Sequence, residues 1–158
     1  MTKPALLWTL GLSIGLGTAL LAQQNPSRTE WRAHGGDSGA KRYAPVDQIT
    51  KENVSRLTIA WRRPAVDGSL KQKAPDLSYS HDFRVTPLMV DGVLYSSNGI
   101  GLVEAFHPGT GKTIWVQQPY PDEKDGLRGA STRGLAYWSE GDARRILVVR
   151  GEYLIALD

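Results

Sequence analysis

Residues 85–116 read VTPLMVDGVLYSSNGIGLVEAFHPGTGKTIWV, and this stretch decides the fold. Short apolar runs rich in Val, Leu and Ile are separated by turn sequences, of which Asp91-Gly92 is a typical hairpin signal. The pattern predicts four strands, over residues 85–90, 93–97, 101–106 and 112–116. Short strands joined by such tight turns form one small antiparallel sheet.

The same pattern begins again downstream, where three more strands are predicted over residues 134–138, 145–149 and 153–158. Ala105 and Ala156 each lie near the end of a third strand and are 51 residues apart. A repeat near 50 residues with four strands per unit is typical of a β-propeller. The predicted fold class is therefore all-β, a partial β-propeller of about one to two blades. Because a blade needs neighbours to bury both faces, we expect the chain to be a fragment or a truncated reading frame.

The chain divides into three predicted parts. Residues 1–22 contain one charge, on Lys3, and an apolar run that ends before a polar segment, which is typical of a secretory signal peptide cut after Ala22. The alternative is an uncleaved anchor helix that would associate the protein with a membrane. Residues 23–64 form a connector, in which residues 50–53 are expected to cap a short helical turn and residues 57–61 to form one strand. Residues 65–158 hold the truncated repeats and begin with a predicted loop over residues 66–82.

The composition excludes several classes of protein. Hydrophobic residues make up 41% and charged residues 22% of the 158, which is typical of a globular chain. The absence of cysteine excludes disulfides, zinc–thiolate sites and a lipid anchor on Cys. The net charge is +3, but Lys and Arg are scattered, so we expect no binding to nucleic acid.

Residues 105–115, AFHPGTGKTIW, resemble the tryptophan-docking motif of quinoprotein dehydrogenases, the enzymes that use pyrroloquinoline quinone (PQQ). Four positions match, and His107 replaces the Asp of the motif. The connector and the second repeat also resemble this family. The supporting residues are Trp31, Gly35-Gly36-Asp37, Arg42-Tyr43, Pro45, Gln48-Ile49, Asn53-Val54, Leu57, Trp61, Thr86-Pro87-Leu88 and residues 133–138.

The resemblance implies an eight-bladed propeller in the periplasm that holds PQQ and Ca²⁺ on its axis. An aspartate base would remove the hydroxyl proton of an alcohol or sugar while hydride passes to PQQ. Electrons would then leave to cytochrome c or membrane quinone. The base and the metal ligands of the family lie beyond Asp158, so we assign no catalytic or metal-binding residue. The isolated chain is therefore expected to be inactive.

The resemblance also suggests cofactor-binding residues. Arg133 falls where the family has an arginine that contacts PQQ, and its guanidinium suits a carboxylate; the alternative is a surface arginine on a blade loop. Ser131 and Thr132 share its loop. Arg84 takes the place of a glutamate that helps hold PQQ in many members. Either Arg84 binds a PQQ carboxylate instead, or the local register is shifted.

A second function remains open at this point. Some outer-membrane assembly lipoproteins use PQQ-like repeats as a non-catalytic propeller scaffold without cofactor. They need a lipid-bearing cysteine after the signal, which this chain lacks. Residues 42–43 and 53–54 of the connector also favour the dehydrogenases.

Overall fold

The computed structural model describes residues 30–73, 84–119, 134–150 and 152–158. Within them the chain forms two antiparallel sheets whose strands follow one another in sequence order. The first sheet contains β1 (Leu88–Val90), β2 (Val93–Ser97), β3 (Val103–Phe106) and β4 (Thr113–Val116). The second sheet contains β5 (Ala136–Glu140), β6 (Ala143–Arg150) and β7 (Tyr153–Leu157). The seven strands predicted for the two repeats are confirmed, as is the all-β class.

The first hairpin confirms the turn predicted at Asp91-Gly92. Val90 pairs with Val93, and the two residues between them have φ of 49° and 78°. Positive φ at both central positions is the geometry of a type I′ turn, whose twist matches that of the flanking strands. Glycine adopts this conformation without steric cost, which is why the dipeptide is such a strong signal.

The two sheets share one apolar core. Leu88, Val90 and Val103 of the first sheet are buried against Leu135, Ile146 and Val148, which belong to the second sheet or immediately precede it. Because side chains alternate along a strand, these residues define the face that each sheet turns towards the other. The packed pair of sheets is the arrangement expected of neighbouring propeller blades.

The connector and the residues that follow it, 65–73, cover the opposite face of the first sheet. All four residues of β3 are buried, which requires cover on both sides. Val66 and Leu70 form a second buried cluster with Ile100 and Leu102. The first sheet therefore lies between the second sheet and the segment that precedes it in sequence.

Two predictions for this part of the chain were wrong. No residue of 57–61 belongs to a strand, although Leu57 has extended backbone angles. No neighbouring strand pairs with this segment among the described residues, and a strand needs such a partner to satisfy its backbone. The predicted loop over residues 66–82 contains a helix, α1 (Gly68–Lys73), because burial of Leu70 stabilises a segment with little apolar character of its own. The predicted helical turn is confirmed as a 3-10 helix, Val54–Arg56.

No helix among residues 30–73, 84–119, 134–150 and 152–158 is long and apolar enough to cross a membrane. The predicted signal segment, residues 1–22, lies outside the described residues.

Candidate functional site

The two sheets meet where their first strands begin. Thr86 and Gly134 form a parallel bridge, and each lies two residues before the first strand of its sheet. The edge strands β1 and β5 therefore start side by side and run in the same direction. The segments that lead into these strands converge at this end, which we call the entry end.

The residues predicted to bind the cofactor, Arg84 and residues 131–133, precede the first strands of the two sheets in the chain. Arg84 lies two residues before Thr86 and is exposed to solvent. Ser131, Thr132 and Arg133 lie outside the described residues, but Arg133 is joined directly to Gly134 in the chain. The bridge thus brings the backbone next to Arg133 close to the segment that carries Arg84.

The connector adds a residue to this end that sequence reasoning set aside. His34 is exposed, and its Nδ1 lies 3.8 Å from the position that a Cβ on Gly134 would occupy. No sequence signal marks this proximity, since it joins positions 100 residues apart.

Residues 30–32 contact the edge strands of both sheets, β1 and β5. The backbone of Trp31 exchanges two hydrogen bonds with Met89 of β1, at 2.8 and 3.0 Å. Arg32 donates to Asp91 at 3.0 Å, and its guanidinium lies 5.3 Å from the centre of the Tyr137 ring. The segment that follows, with His34, is thereby held against the entry end.

Trp115 lies in the contact between the two sheets. It pairs with Ala105 across the ladder, and its ring centre lies 6.2 Å from that of Tyr95. Both rings pack against the shared core. Burial raises the pKa of Tyr95 above its ordinary value. Trp115 also lines a cleft with Ile146 and Leu157 of the second sheet.

A buried ion pair fastens the connector to the first sheet. Arg63 donates to Glu104 of β3, whose side chain is 4% exposed. The same carboxylate accepts from Asn98 Nδ2 at 2.9 Å and from the backbone N–H of Asp67 at 3.3 Å. The guanidinium also lies 4.4 Å from the centre of the Phe106 ring. A buried carboxylate is tolerated only with such a set of donors.

Asp67 links this ion pair to α1. Its carboxylate accepts from the backbone N–H of Ser69 at 2.9 Å and from the Thr113 hydroxyl at 3.0 Å. These bonds, the Ser69 backbone first, and the charge of Arg63 hold the pKa of Asp67 below its ordinary value. The cluster joins the connector, α1 and the first sheet, and within it Arg63 Nη1 is buried without a hydrogen-bond partner among the described residues.

Trp61 is the second anchor of the connector. Its ring packs edge-on against Phe106 with 5.7 Å between centres, and its Nε1–H donates to the carbonyl of Pro108 at 2.7 Å. A Cβ on Gly111 would lie 2.5 Å from the indole, and Gly111 has φ of 67°. The glycine of the docking motif is therefore required both by the turn and by the tryptophan that covers it.

Arg84 brings a positive charge to the entry end. A guanidinium binds a carboxylate through charge-assisted hydrogen bonds, so this residue type suits a cofactor that carries carboxylates. The described residues do not fit a metal ion, because no three His, Asp or Glu among them lie together. Oxygen ligands of that kind are what Ca²⁺ needs.

Two blade-like sheets with a shared core and a docked tryptophan define a β-propeller protein. The chain belongs to the family described as "PQQ: Glucose/ethanol/alcohol dehydrogenase, beta-propeller domain", whose family model matches residues 31–158.

Named relatives agree with this assignment. The chain is 32% identical over 127 residues to the dehydrogenase subunit of the quinone alcohol dehydrogenase from Gluconobacter oxydans, covering 78% of this chain and 15% of that protein. It is 35% identical over 96 residues to the 1-butanol dehydrogenase (cytochrome c) from Thauera butanivorans, covering 60% of this chain and 12% of that one. The solved quinohemoprotein alcohol dehydrogenase from Comamonas testosteroni superposes with a TM-score of 0.59 at 29% identity, covering 82% of this chain and 18% of that one. The chain thus spans under a fifth of the length of these relatives.

Proposed function

We propose that this chain is the N-terminal portion of a periplasmic quinoprotein dehydrogenase that oxidises alcohols or sugars with PQQ. The observation that carries the proposal is the parallel bridge between Thr86 and Gly134, which gathers the Arg84 segment and the backbone next to Arg133 at one end of a family propeller. The names of the relatives support alcohols as substrates and cytochrome c or a quinone as electron acceptor.

The part of this chain in that function is to bind and orient an anion. Bound PQQ supplies the two-electron acceptor, and the protein holds and polarises it. Arg133 and Arg84 would hold its carboxylates, with Ser131 and Thr132 as further hydrogen-bonding groups. The described residues provide no carboxylate cluster for Ca²⁺, so calcium enters this proposal through the family alone.

The chain by itself is expected to bind PQQ more weakly than micromolar and to show no turnover. One or two charge-assisted hydrogen bonds contribute about 1.5–3 kcal/mol each, whereas micromolar affinity needs roughly 8 kcal/mol. PQQ affinity is measured by calorimetry of the purified chain with PQQ and Ca²⁺. Turnover is measured as dye reduction in the presence of an alcohol. Micromolar binding or substrate-dependent dye reduction would contradict the proposed need for further parts of the propeller.

A chimera tests the function itself. Residues 31–158 replace the matching segment of the Comamonas testosteroni quinohemoprotein alcohol dehydrogenase, and PQQ binding and alcohol oxidation are measured. We expect both to be retained, and Arg133→Ala to weaken PQQ binding roughly 10- to 100-fold, as loss of a charge-assisted bond requires. Arg144→Ala is the matched control, because Arg144 lies beside the β5–β6 turn at the far end of the second sheet. A folded chimera without PQQ binding would favour the non-catalytic scaffold.

Export is a separate part of the proposal. The basic start, the apolar run and the polar break after Ala22 support removal of residues 1–22 during transport. We expect the protein recovered from the periplasm to begin at Gln23, or its cyclised form, as read by mass spectrometry. A recovered protein that still begins at Met1 would instead support an anchor.

A further inference from the structure

Asn98 is the only one of the three asparagines in the sequence that precedes a glycine. In such a pair the backbone nitrogen of the glycine can attack the side-chain amide carbon of the asparagine, because no glycine side chain hinders the approach. The new N–C bond closes a succinimide ring, and the side-chain nitrogen leaves as ammonia, taking the proton of the glycine N–H. Water then opens the ring to aspartate or isoaspartate, so an amide becomes a carboxylate without oxidation or reduction.

The folded chain holds the atoms of this reaction in hydrogen bonds. Asn98 is 3% exposed, and its Oδ1 accepts from two backbone N–H groups of its own loop, at 3.1 and 3.0 Å. Its Nδ2, the leaving nitrogen, donates to Glu104 at 2.9 Å. The attacking nitrogen of Gly99 donates to the carbonyl of Ala65 at 2.8 Å. Ring closure requires these bonds to break, so the amide is protected in this state.

Residues 63–67, which we call the docking segment, cover the Asn98 loop. The acceptor of the Gly99 hydrogen bond, Ala65, belongs to this segment. Val66 is 2% exposed and packs on the same glycine, where a Cβ would lie 3.2 Å from Val66 Cγ2. When the docking segment leaves the first sheet, the attacking nitrogen therefore loses both its acceptor and its cover.

The docking segment also fixes the partner of the leaving nitrogen. Glu104 accepts from the Arg63 guanidinium and from the backbone N–H of Asp67, the latter at 3.3 Å. These bonds orient the carboxylate towards the Asn98 amide. Release of the docking segment thus frees the attacking nitrogen and the leaving group together.

We propose that Asn98 is a deamidation site that opens only when the docking segment leaves the first sheet, and that the product prevents the segment from docking again. An aspartate at this position places a carboxylate where Nδ2 now donates to Glu104, so two buried like charges meet within hydrogen-bond distance. An isoaspartate also inserts a methylene into the backbone, which moves the side-chain oxygen away from the N–H groups it accepts from. The change is one-way, because the ammonia is lost.

Peptide mapping by mass spectrometry measures the conversion in the full chain, incubated at neutral pH with and without urea. In the wild type we expect conversion of Asn98 in urea and protection without it. Arg63→Met removes the counter-charge of the joint, so it should speed native-state conversion about 10- to 100-fold by raising the open population. Asn53 is the internal control, because the branched side chain of Val54 hinders ring closure and its amide should persist throughout.

Trp115→Ala separates opening of the docking segment from unfolding of the whole chain. It weakens the packing between the two sheets, is expected to cost similar stability, and leaves the contacts of the docking segment in place. Conversion of Asn98 should therefore accelerate less than in Arg63→Met. Equal acceleration by the two variants would make global unfolding the route and would overturn the proposed gating.

Asn98→Asp tests the consequence of the modification. Hydrogen exchange of the Gly99 amide should be at least about tenfold faster than in the wild type, because the docking segment no longer holds it, while the β5–β6 ladder keeps its protection. Asn98→Asp/Glu104→Gln leaves a single carboxylate at the contact and should regain most of the protection. Wild-type conversion at Asn98 as fast without urea as with it, or wild-type exchange at Gly99 in Asn98→Asp, would also overturn the proposal.

Discussion

Arg63→Met is expected to lower the free energy of unfolding by about 3 kcal/mol, because it leaves Glu104 as a buried carboxylate without its counter-charge. Glu104 is 3% exposed, and its remaining donors are the Asn98 amide and the Asp67 backbone N–H. Methionine keeps an apolar stem against Phe106, so the loss measures the charge more than the packing. Urea denaturation followed by fluorescence, with five tryptophans in the chain, gives the value.

The double variant Arg63→Met/Glu104→Gln is the control for this effect. Glutamine still accepts the two remaining hydrogen bonds and carries no charge, so most of the lost stability should return, to within about 1 kcal/mol of the wild type. If the double variant is less stable than Arg63→Met alone, the ion pair is not the origin of the loss.

Trp115→Ala is expected to cost about 3 kcal/mol, the lower end of the range for removal of a core tryptophan, because Trp115 is only partly buried. The substitution removes the ring that packs on Tyr95 and on the core shared by the two sheets. Its position within that core makes it a packing residue, and the melting temperature should fall accordingly.

Trp138 provides the comparison for Trp115. It is 38% exposed and lies on the opposite face of the second sheet, outside the shared core. Trp138→Ala should therefore cost about 1 kcal/mol or less, as is usual away from a core. In the chimera with the Comamonas enzyme, Trp115→Ala should leave PQQ affinity unchanged. Unchanged stability with a collapse of PQQ binding would show that the packing role is wrong.

The strands could be predicted from sequence because their determinants are local. The alternation of residues 93–97 and the turn at Asp91-Gly92 specify a hairpin without knowledge of anything distant. Strand bounds were less accurate, and β1 begins at Leu88 where residue 85 was expected. A residue belongs to a strand only where it pairs with a neighbouring strand. The sequence pattern does not show at which residue that pairing begins.

The connector and α1 could not be predicted in the same way, because distant residues decide their structure. Residues 57–61 alternate like a strand, but no partner strand pairs with them among the described residues. The helix α1 depends on Leu70 reaching Ile100 and Leu102. Likewise, nothing local marks Glu104 as a buried ion-pair partner, since Arg63 lies 41 residues away.

The candidate site was predictable only through family resemblance. Arg84 does lie at the entry end, as a cofactor-binding role requires, and its role there stays a prediction. Ser131, Thr132 and Arg133 fall outside the described residues, so their roles stay predictions too. The approach of His34 to Gly134 had no sequence signal, because it depends on the path of the connector across both sheets.

The two anchors of the connector, Trp61 and Arg63, also affect the order in which the parts of this chain fold during synthesis. Trp61 and Arg63 are synthesised early, but their partners Pro108 and Glu104 follow 47 and 41 residues later. Each hairpin, by contrast, closes within a few residues and can form as it emerges. The connector must therefore wait undocked, with the ring of Trp61 in water, until β3 and its turn have been made. During that interval the early part of the chain is the segment on which a chaperone would act.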